Sequence, residues 1–408
     1  MSRHLPTTVP PGATPAQPWN RQRLRSNNEW LLLELLRTGG PSSRAQLARD
    51  TGLSKPTVSA ALAALEQAGL AREAGRFVPE RGRTAVLYEP DPTAGHVLGV
   101  DIGRGWLRVA VADLAGRIVA RRDVPNKGRS ANAVADAVVA AARETAAEAG
   151  LAAGDIVHAV IGTPGVWDEQ RRGVRYATSL PGWGRRGLFD RIAAGLETAV
   201  TVGNDANLAA LGEFTLGAGR GSRMFAYLLI GTGLGVGVLK DGELLSGAHG
   251  AAGEVGLVPL PPGADGEPGG TIEQEAGADA VVRTALGLGM RGPLTAKQVF
   301  DAARAGDPLA ARAVEREAEQ LAYAIAVLAA VLDPDLVVLG GGVGGSADLL
   351  LEPLERELHR LTPLRPKLAP SGLGEQAVLL GAVATALDTA RPEVFERRSA
   401  LADHGVPL

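Results

Sequence analysis

Three glycine clusters, each placed directly after an apolar strand pattern, constrain the fold of this chain more than any other feature. One such cluster indicates only a tight turn, because glycine is the usual residue there. Three in this order predict an α/β architecture in which a ligand meets the carboxyl ends of the strands. The clusters are Gly103 with Gly105 after strand 97–102, Gly231 to Gly237 after strand 224–230, and Gly340 to Gly342 after strand 336–339.

The chain from residue 95 onward alternates strand patterns with amphipathic helices, as an α/β body does. We predict a first lobe at 95–212, completed by a helix at 376–391, and a second lobe at 213–375, with a ligand cleft between the lobes. The longest apolar run, 321–332, is too short for a membrane span and is typical of a buried helix. The N-terminus has no apolar signal region, so we expect a cytoplasmic protein.

Charge is distributed unevenly along the chain. Residues 1–90 contain 12 Lys and Arg against 7 Asp and Glu, a net charge of +5, whereas the remaining residues carry a net charge of −8. A basic front end on an acidic body predicts that one small N-terminal domain contacts a polyanion. The chain has no cysteine, which excludes disulfides and cysteine-ligated zinc.

The basic front end has the pattern of a helix-turn-helix. After an arm at 1–22 that is expected to be disordered, the domain at 23–90 starts with a helix at 29–37. Ser43 and Ser54 are candidate N-caps of two further helices, which a turn at Gly52 separates. The apolar stripe of the second of these helices leaves polar side chains outside, near the end where a recognition helix meets DNA. The candidate DNA contacts here are Arg44, Ser54, Lys55, Thr57 and Ser59.

Two strand patterns at 70–73 and 85–88 follow these helices and predict a basic hairpin of the kind called a wing. Its arginines Arg81 and Arg83 are candidate contacts to a minor groove or to phosphates. The alternative is a small helical bundle with a solvated basic loop. Charge, caps, turn and wing agree with one another, and this agreement favours DNA binding.

Acidic and amide side chains follow the strands of the body and are candidate sugar ligands. Asn204 and Asp205 come after a strand at 200–203, Glu254 lies in a glycine-rich loop, and Glu273 opens a helix. Carboxylates and amides form paired hydrogen bonds to neighbouring hydroxyls, and Asp205 is also a candidate general base. The alternative for each is a helix N-cap or a solvated loop residue.

Taken together, these motifs resemble those of the ROK family (repressor, open reading frame, kinase), in its DNA-binding repressor branch. The resemblance covers the chain from about residue 27 to residue 390 and depends on motifs that occur in the family's order. They are Ser43 to Ala48, Leu53 to Ser59, Asp101 to Gly103, Leu180 to Trp183, Asn204 to Asn207, Gly231 to Gly235, Gly253 to Gly256 and Leu339 to Gly342.

The resemblance implies a winged helix-turn-helix domain followed by a two-lobed, actin-like body of the sugar-kinase type. It implies that Asn204, Asp205, Glu254 and Glu273 hold sugar hydroxyls and that Asp205 corresponds to the catalytic base of the kinase members. It also implies assembly as a homodimer or homotetramer. The expected partners are therefore operator DNA and a small sugar effector.

The chain departs from the family pattern in two places. The kinases read Asp-x-Gly-Gly-Thr where this chain has Arg104, Gly105 and Trp106, so a large cation replaces a glycine and the threonine is lost. The family's zinc loop has a histidine three residues after the glutamate and three cysteines beyond, where this chain has Leu257 and then Ala264, Gly266 and Thr271. We therefore expect neither a bound metal nor a cofactor, and no kinase activity.

The sequence thus predicts a sugar-responsive regulator, a repressor of carbohydrate uptake or catabolism genes that a sugar in the cleft releases from DNA. The alternative is an ATP-dependent hexose kinase that carries a DNA-binding domain. The glycine clusters and Asp205 favour the kinase, whereas Arg104, Trp106 and Leu257 oppose it.

Overall fold

The computed structural model describes residues 21–78, 84–177, 182–260 and 270–403. Its contacts divide the chain into two compact units. The first contains the chain up to Ala94 together with the segment that starts at Glu393, and the second runs from Gly95 to Pro392. Within the described ranges, no helix combines the length and the apolar character that a membrane span requires.

The first unit is a winged helix-turn-helix, as the sequence predicts. Its core is formed by apolar side chains of its helices, among them Leu32, Leu47 and Leu62. The unit also contains a three-stranded sheet in the order β1-β3-β2, in which β1 lies between α1 and α2 along the chain. The elements are α1 (Arg21–Gly39), β1 (Ser42–Ser43), α2 (Arg44–Thr51), α3 (Lys55–Gln67), β2 (Ala71–Phe77) and β3 (Ala85–Pro90).

Helix α1 is longer than the sequence pattern predicts, because it begins at Arg21 rather than at residue 29. Arg25 donates to Glu29 at 2.9 Å, one turn further on, and such a pair supports the helix beyond its apolar stripe. The last two residues of the expected arm at 1–22 therefore belong to helix α1. The rest of that arm lies outside the described residues.

The second unit contains two five-stranded mixed sheets with helices packed on them. In the first sheet the order is β10-β7-β4-β5-β6, with β10, β7 and β4 parallel and β5 and β6 antiparallel. Its elements are β4 (His96–Ile102), β5 (Trp106–Asp113), β6 (Ile118–Pro125), α4 (Ala131–Glu148), β7 (Ile156–Thr163), β8 (Val166–Asp168), β9 (Gly173–Arg175), α5 (Leu188–Leu196), β10 (Ala199–Asn204) and α6 (Asp205–Leu216); β8 and β9 form a separate hairpin.

The second sheet repeats the plan of the first, in the order β13-β12-β11-β14-β15 with β11, β14 and β15 parallel. The apolar run at 321–332 lies in α10 and is mostly buried, as predicted. The elements are β11 (Met224–Ile230), β12 (Leu234–Lys240), β13 (Glu243–Leu244), α7 (Ile272–Glu275), α8 (Ala278–Gly287), α9 (Ala296–Arg304), α10 (Pro308–Leu332), β14 (Leu336–Gly340), α11 (Gly341–Gly344), α12 (Ala347–Leu361), β15 (Lys367–Pro370) and α13 (Ala377–Asp403).

Helices α6 and α13 cross at glycines in the second unit. A Cβ at Gly381 would overlap the carbonyl oxygen of Leu208, and one at Gly212 would lie 2.5 Å from the carbonyl oxygen of Ala377. The two backbones therefore approach as closely as glycine alone permits. Since α6 also packs on β11 and β12 while α13 packs on the first sheet at Gly99, the crossing joins the two sheets.

Candidate functional site

The carboxyl ends of three parallel strands place the predicted ligand residues at one edge of the first sheet. Strands β4, β7 and β10 run side by side and end at Ile102, Thr163 and Asn204. The Asn204 side-chain amide donates to the Gly165 carbonyl oxygen at 3.1 Å, which ties the ends of β10 and β7 together. Ligands bind at such an edge in α/β folds.

Asn204 and Asp205 divide two roles between them at the start of α6. Asn204 is the N-cap, and its side-chain oxygen accepts from the backbone N–H of Asn207 at 3.0 Å. The helix thus begins at Asp205 rather than near Leu208, because the cap comes earlier than the sequence pattern suggests. Asp205 itself accepts only from the neighbouring Ala206 N–H among the described hydrogen bonds, at 2.8 Å.

The Asp205 carboxyl has a raised pKa. The pKa of Asp205 is raised from 3.8 to about 7, mainly by burial and also by the charges of Asp101 and Glu273. A group with a pKa near the operating pH serves well as a general acid or base. A carboxyl group with such a pKa can either donate a hydrogen bond to a hydroxyl group or accept one from it.

Glu254 and Glu273 join Asp205 in one carboxyl cluster. Burial raises the pKa of Glu254, and the charges of Glu273 and Asp205 contribute to the rise. Burial also raises the pKa of Glu273. A Cβ at Gly233 would overlap the Glu273 carboxylate, so this side chain lies against the turn between β11 and β12. Three of the four predicted sugar ligands are thus electrostatically coupled, and Asn204 adjoins one of them in the chain.

Two glycines of the second cluster, Gly235 and Gly237, pack against α6. A Cβ at Gly235 would lie 2.9 Å from the Ala206 side chain, and one at Gly237 would overlap the Ala206 carbonyl oxygen. These glycines let α6 lie directly on β12. The sequence pattern signalled a close approach, and here the approaching group is another backbone.

Two arginines that line the hairpin between β4 and β5 pair with carboxylates. Arg108 donates to Asp101 at 3.2 Å and to Glu375 at 2.6 Å. Arg104 donates to Asp279, at the start of α8 on the second sheet's side, at 3.0 Å. Sequence reasoning missed Arg108 and Asp279. The hairpin register could have identified Arg108, since it stands directly opposite Asp101.

The residues at the family's zinc loop and phosphate motif differ from those of the family pattern. Leu257, at the position of the family's histidine, is 46% exposed and has no metal-binding atom. Of the three positions that hold cysteines in the family, only Thr271 is among the described residues. Ala264 and Gly266 lie outside the described residues. At the phosphate motif, the Arg104 side chain pairs with the Asp279 carboxylate.

The Leu180 to Trp183 motif is only partly described, since Leu180 and Pro181 lie outside the described residues. Trp183 is buried, and its indole N–H donates to the Thr163 hydroxyl at 2.6 Å. Because β7 ends at Thr163, this bond fastens the motif to the ligand edge of the sheet. The tryptophan therefore has a positioning role beside the cleft.

The first unit presents a capped recognition helix. Ser43 caps α2 and Ser54 caps α3, accepting from the backbone N–H groups of Gln46 at 3.2 Å and Thr57 at 3.3 Å. Lys55 is exposed beside Ser54, and Thr57 and Ser59 are half-buried next to it. These short polar groups surround the N-terminal end of α3, where backbone N–H groups also favour phosphate.

The three predicted arginine contacts differ from these polar groups. The Arg44 guanidinium lies 4.9 Å from the centre of the Tyr88 ring and 3.9 Å from Glu66, so it is partly engaged within the unit. Arg81 and Arg83 lie outside the described residues. The strands that flank them pair as β2 and β3, with a bulge at Gly75. The hairpin predicted as a wing is thus present, although its tip is not described.

A two-lobed α/β body with a carboxyl-lined edge, in one chain with a winged helix-turn-helix unit, defines a sugar-kinase-type fold joined to a DNA-binding fold. A model of the ROK family matches residues 97–389, and a model of the MarR family matches residues 25–83. The chain belongs to the ROK family.

Known proteins resemble either the body alone or both units. The structure of a ROK family glucokinase from Streptomyces griseus with glucose and AMPPNP is 32% identical, covers 72% of this chain and 100% of its own, and has a TM-score of 0.63. The xylose repressor of Caldicellulosiruptor bescii is 25% identical over 90% of this chain and 96% of its own. A ROK family transcriptional regulator, a homolog of the E. coli MLC protein, shares the fold with 23% identity, coverage of 92% and 99%, and a TM-score of 0.72.

Proposed function

We propose that this chain is a sugar-responsive transcriptional repressor that binds operator DNA as a dimer and leaves it when a sugar occupies the cleft of the body. The observation that carries the proposal is that a carboxyl and amide cluster of sugar-binding type occurs in the same chain as a capped, exposed recognition helix. The repressor relative matches this chain across both parts.

In this proposal, residues 23–90 form the DNA-binding domain. Residues 95–212 with 376–391 form the first lobe, and residues 213–375 form the second. The division of contacts at Ala94 and Pro392 supports these boundaries. The packing of α13 on the first sheet at Gly99 and Gly162 supports the assignment of 376–391 to the first lobe.

The sugar is held by Asn204, Asp205, Glu254 and Glu273. Paired hydrogen bonds from carboxylate and amide groups to vicinal hydroxyls fix the ring, and the raised pKa of Asp205 lets it donate as well as accept. Sugar binding changes the closure of the lobes. The DNA-bound and free states then differ in sugar affinity by about 1 to 3 kcal/mol, as in ordinary allosteric coupling.

The DNA contacts are Ser54, Lys55, Thr57 and Ser59 at the N-terminus of α3, with Arg44, Arg81 and Arg83 at the edges. Their chemistry combines phosphate contacts from basic groups with base contacts from short polar side chains. A dimer places two such helices on two half-sites, and release follows when the spacing of the pair no longer fits them.

Fluorescence anisotropy tests this proposal. Purified protein is titrated into labelled fragments of its own upstream region at fixed salt, with and without a panel of monosaccharides and oligosaccharides. We expect selective binding that one sugar weakens, and we expect Glu254→Gln to abolish the sugar effect without changing the affinity for DNA. Operator affinity that no saccharide changes would contradict the effector model, and absence of selective binding would contradict the repressor itself.

A second candidate is an ATP-dependent hexose kinase with a DNA-binding domain. The pKa of Asp205, about 7, suits a catalytic base, and the glucokinase likeness of the body is consistent with it. The pairing of Arg104 with Asp279 opposes it, because phosphoryl transfer requires positioned phosphates as well as a base. Release of ADP in the presence of a hexose would establish the kinase, provided that Asp205→Asn abolishes this release.

A further inference from the structure

An exposed indole stands at the ligand edge of the first sheet. Trp106 begins β5 directly after the Gly103 to Gly105 turn, and 47% of its surface is exposed, in contrast to the buried Trp183. Side chains alternate along a strand, so Trp106 shares a face with Arg108, whose guanidinium bonds to Asp101 across the hairpin. Asp101 in turn lies close enough to Asp205 to raise its pKa. The indole is therefore on the sheet face that carries Arg108 and Asp101.

A polar pair that joins the two lobes lies at this hairpin. Arg104 and Asp279 pair at 3.0 Å, and more than half of each side chain remains exposed. Asp279 follows Gly277, which packs on the carbonyl oxygens of the turn at Gly231 and Thr232. Because a guanidinium has five N–H donors and a carboxylate has about four acceptor positions, both groups keep hydrogen-bonding capacity beyond their mutual bond.

The chemistry of this region fits an uncharged polyhydroxylated ring. A flat indole face packs against the C–H face of a pyranose or furanose, while paired charges beside it bond to hydroxyls at the ring edge. Carboxylates outnumber cations here, which disfavours a phosphorylated or otherwise anionic ligand. The carboxylates are Asp101, Asp205, Glu254, Glu273 and Asp279; of these, Asp101 pairs with Arg108 and Asp279 pairs with Arg104.

We propose that Trp106, with the Arg104–Asp279 pair, forms a second saccharide subsite beyond the carboxyl cluster, so that the effector is an uncharged glycoside of at least two rings. This proposal rests on the proposed sugar-binding function and specifies its ligand class. One ring occupies the cluster at Asp205, Glu254 and Glu273. The next ring stacks on Trp106, in the region that a nucleotide would otherwise approach.

Isothermal titration calorimetry of the full chain with matched sugars tests the subsite. The probes are glucose, xylose, mannose and galactose beside maltose, cellobiose, xylobiose, mannobiose and lactose. We expect one disaccharide to bind at least about tenfold more tightly than its monosaccharide, a difference typical of one added aromatic contact. Trp106→Ala removes this advantage and leaves monosaccharide affinity unchanged, whereas Trp106→Phe retains part of it.

Phe77→Ala is the matched control, since it removes another exposed aromatic side chain, on β2 of the first unit. It should leave all sugar affinities unchanged, and thermal melts of each variant check that the fold persists. Equal affinity for disaccharides and monosaccharides in the unmodified protein would overturn the subsite while the sugar-responsive function stands. An equal effect of Trp106→Ala on both classes would overturn it as well.

Two further outcomes separate this inference from the proposed function. If none of these saccharides binds, both the subsite and the sugar-responsive function fail. If AMPPNP binds and quenches indole fluorescence in the unmodified protein but not in Trp106→Phe, the indole belongs to a nucleotide site, and the subsite alone is overturned. In the Phe variant a disaccharide should still protect the protein against thermal unfolding, although less than in the unmodified protein.

Discussion

Removal of Arg108 should destabilise the protein in a strongly pH-dependent way. In Arg108→Ala, the Asp101 carboxyl loses its guanidinium partner at 3.2 Å while it stays buried. The second partner of Arg108, Glu375, is mostly exposed and contributes little. The effect therefore comes from the charge left on Asp101, and it depends on whether that carboxyl is protonated.

The magnitude follows from the pKa of Asp101. Burial raises this pKa from 3.8 to about 6, even though Arg108 opposes the rise. A carboxyl whose folded pKa is raised lowers stability as the pH increases from the unfolded pKa to the folded pKa, because the folded state binds the proton more tightly. Loss of the guanidinium raises the folded pKa further, and each added unit costs about 1.4 kcal/mol above it. We expect a loss of about 2 to 3 kcal/mol at pH 8 and of less than about 1 kcal/mol at pH 5.

Urea unfolding of the full chain at both pH values measures this difference. The matched control is Arg117→Ala, since Arg117 also pairs with a buried aspartate, Asp113, at 3.1 Å. Asp113 keeps the backbone N–H groups of Ala115 and Arg117 as partners, so the control should cost little at either pH. Equal destabilisation of Arg108→Ala at pH 5 and pH 8 would refute the reasoning, because the charge on Asp101 would then not be its source.

Three further variants test the sites and the core. Lys55→Ala should weaken operator binding and reduce the slope of log affinity against log salt concentration by about one unit. Lys297→Ala, which removes an exposed lysine on α9, should change neither quantity. An unaltered slope in Lys55→Ala would remove Lys55 from the DNA contacts. Asp205→Asn should weaken sugar binding by about tenfold or more in titration calorimetry while operator affinity without sugar stays constant, and unaltered sugar affinity would place the ligand elsewhere. Burial raises the pKa of Glu317 from 4.5 to about 8, so the stability of the folded protein should fall as the pH rises from 4.5 to 8. Glu317→Gln should flatten this fall in thermal melts from pH 6 to 9. An unchanged pH profile would exclude Glu317 as the cause of the fall.

The paired charges at the hairpin give the chain's departure from the kinase pattern a physical meaning. Arg104 stands where the kinase motif has glycine, and its side chain bonds to Asp279, a carboxylate of the opposite lobe. Asp101 keeps its place in the motif but is neutralised by Arg108. This end of the cleft is therefore supplied with its own counterions, which suits recognition of a neutral ligand better than transfer of a phosphoryl group.

The sequence alone determined the architecture, because its signals are local. Caps at Ser43 and Ser54, the turn glycine Gly52 and the apolar periodicity of α3 specify the helix-turn-helix without reference to the rest of the chain. The strand at Met224–Ile230 follows from its apolar run in the same way. The site residues Asn204, Asp205, Glu254 and Glu273 were identified by their residue types and their positions after strands and in turns, and the family resemblance implied the same role; their roles are proposals that the variants above test.

Tertiary structure alone decided which of these residues meet and what surrounds them. The pairing of Arg104 with Asp279, 175 residues apart, depends on how the lobes pack, and no local pattern encodes it. The raised pKa of Asp205 likewise arises from burial and from the charges of Asp101 and Glu273, which distant strands and helices bring near. Propensity and capping act over a few residues, whereas desolvation and Coulomb interactions act through space, so the chemistry of the cleft emerges only when the chain is folded.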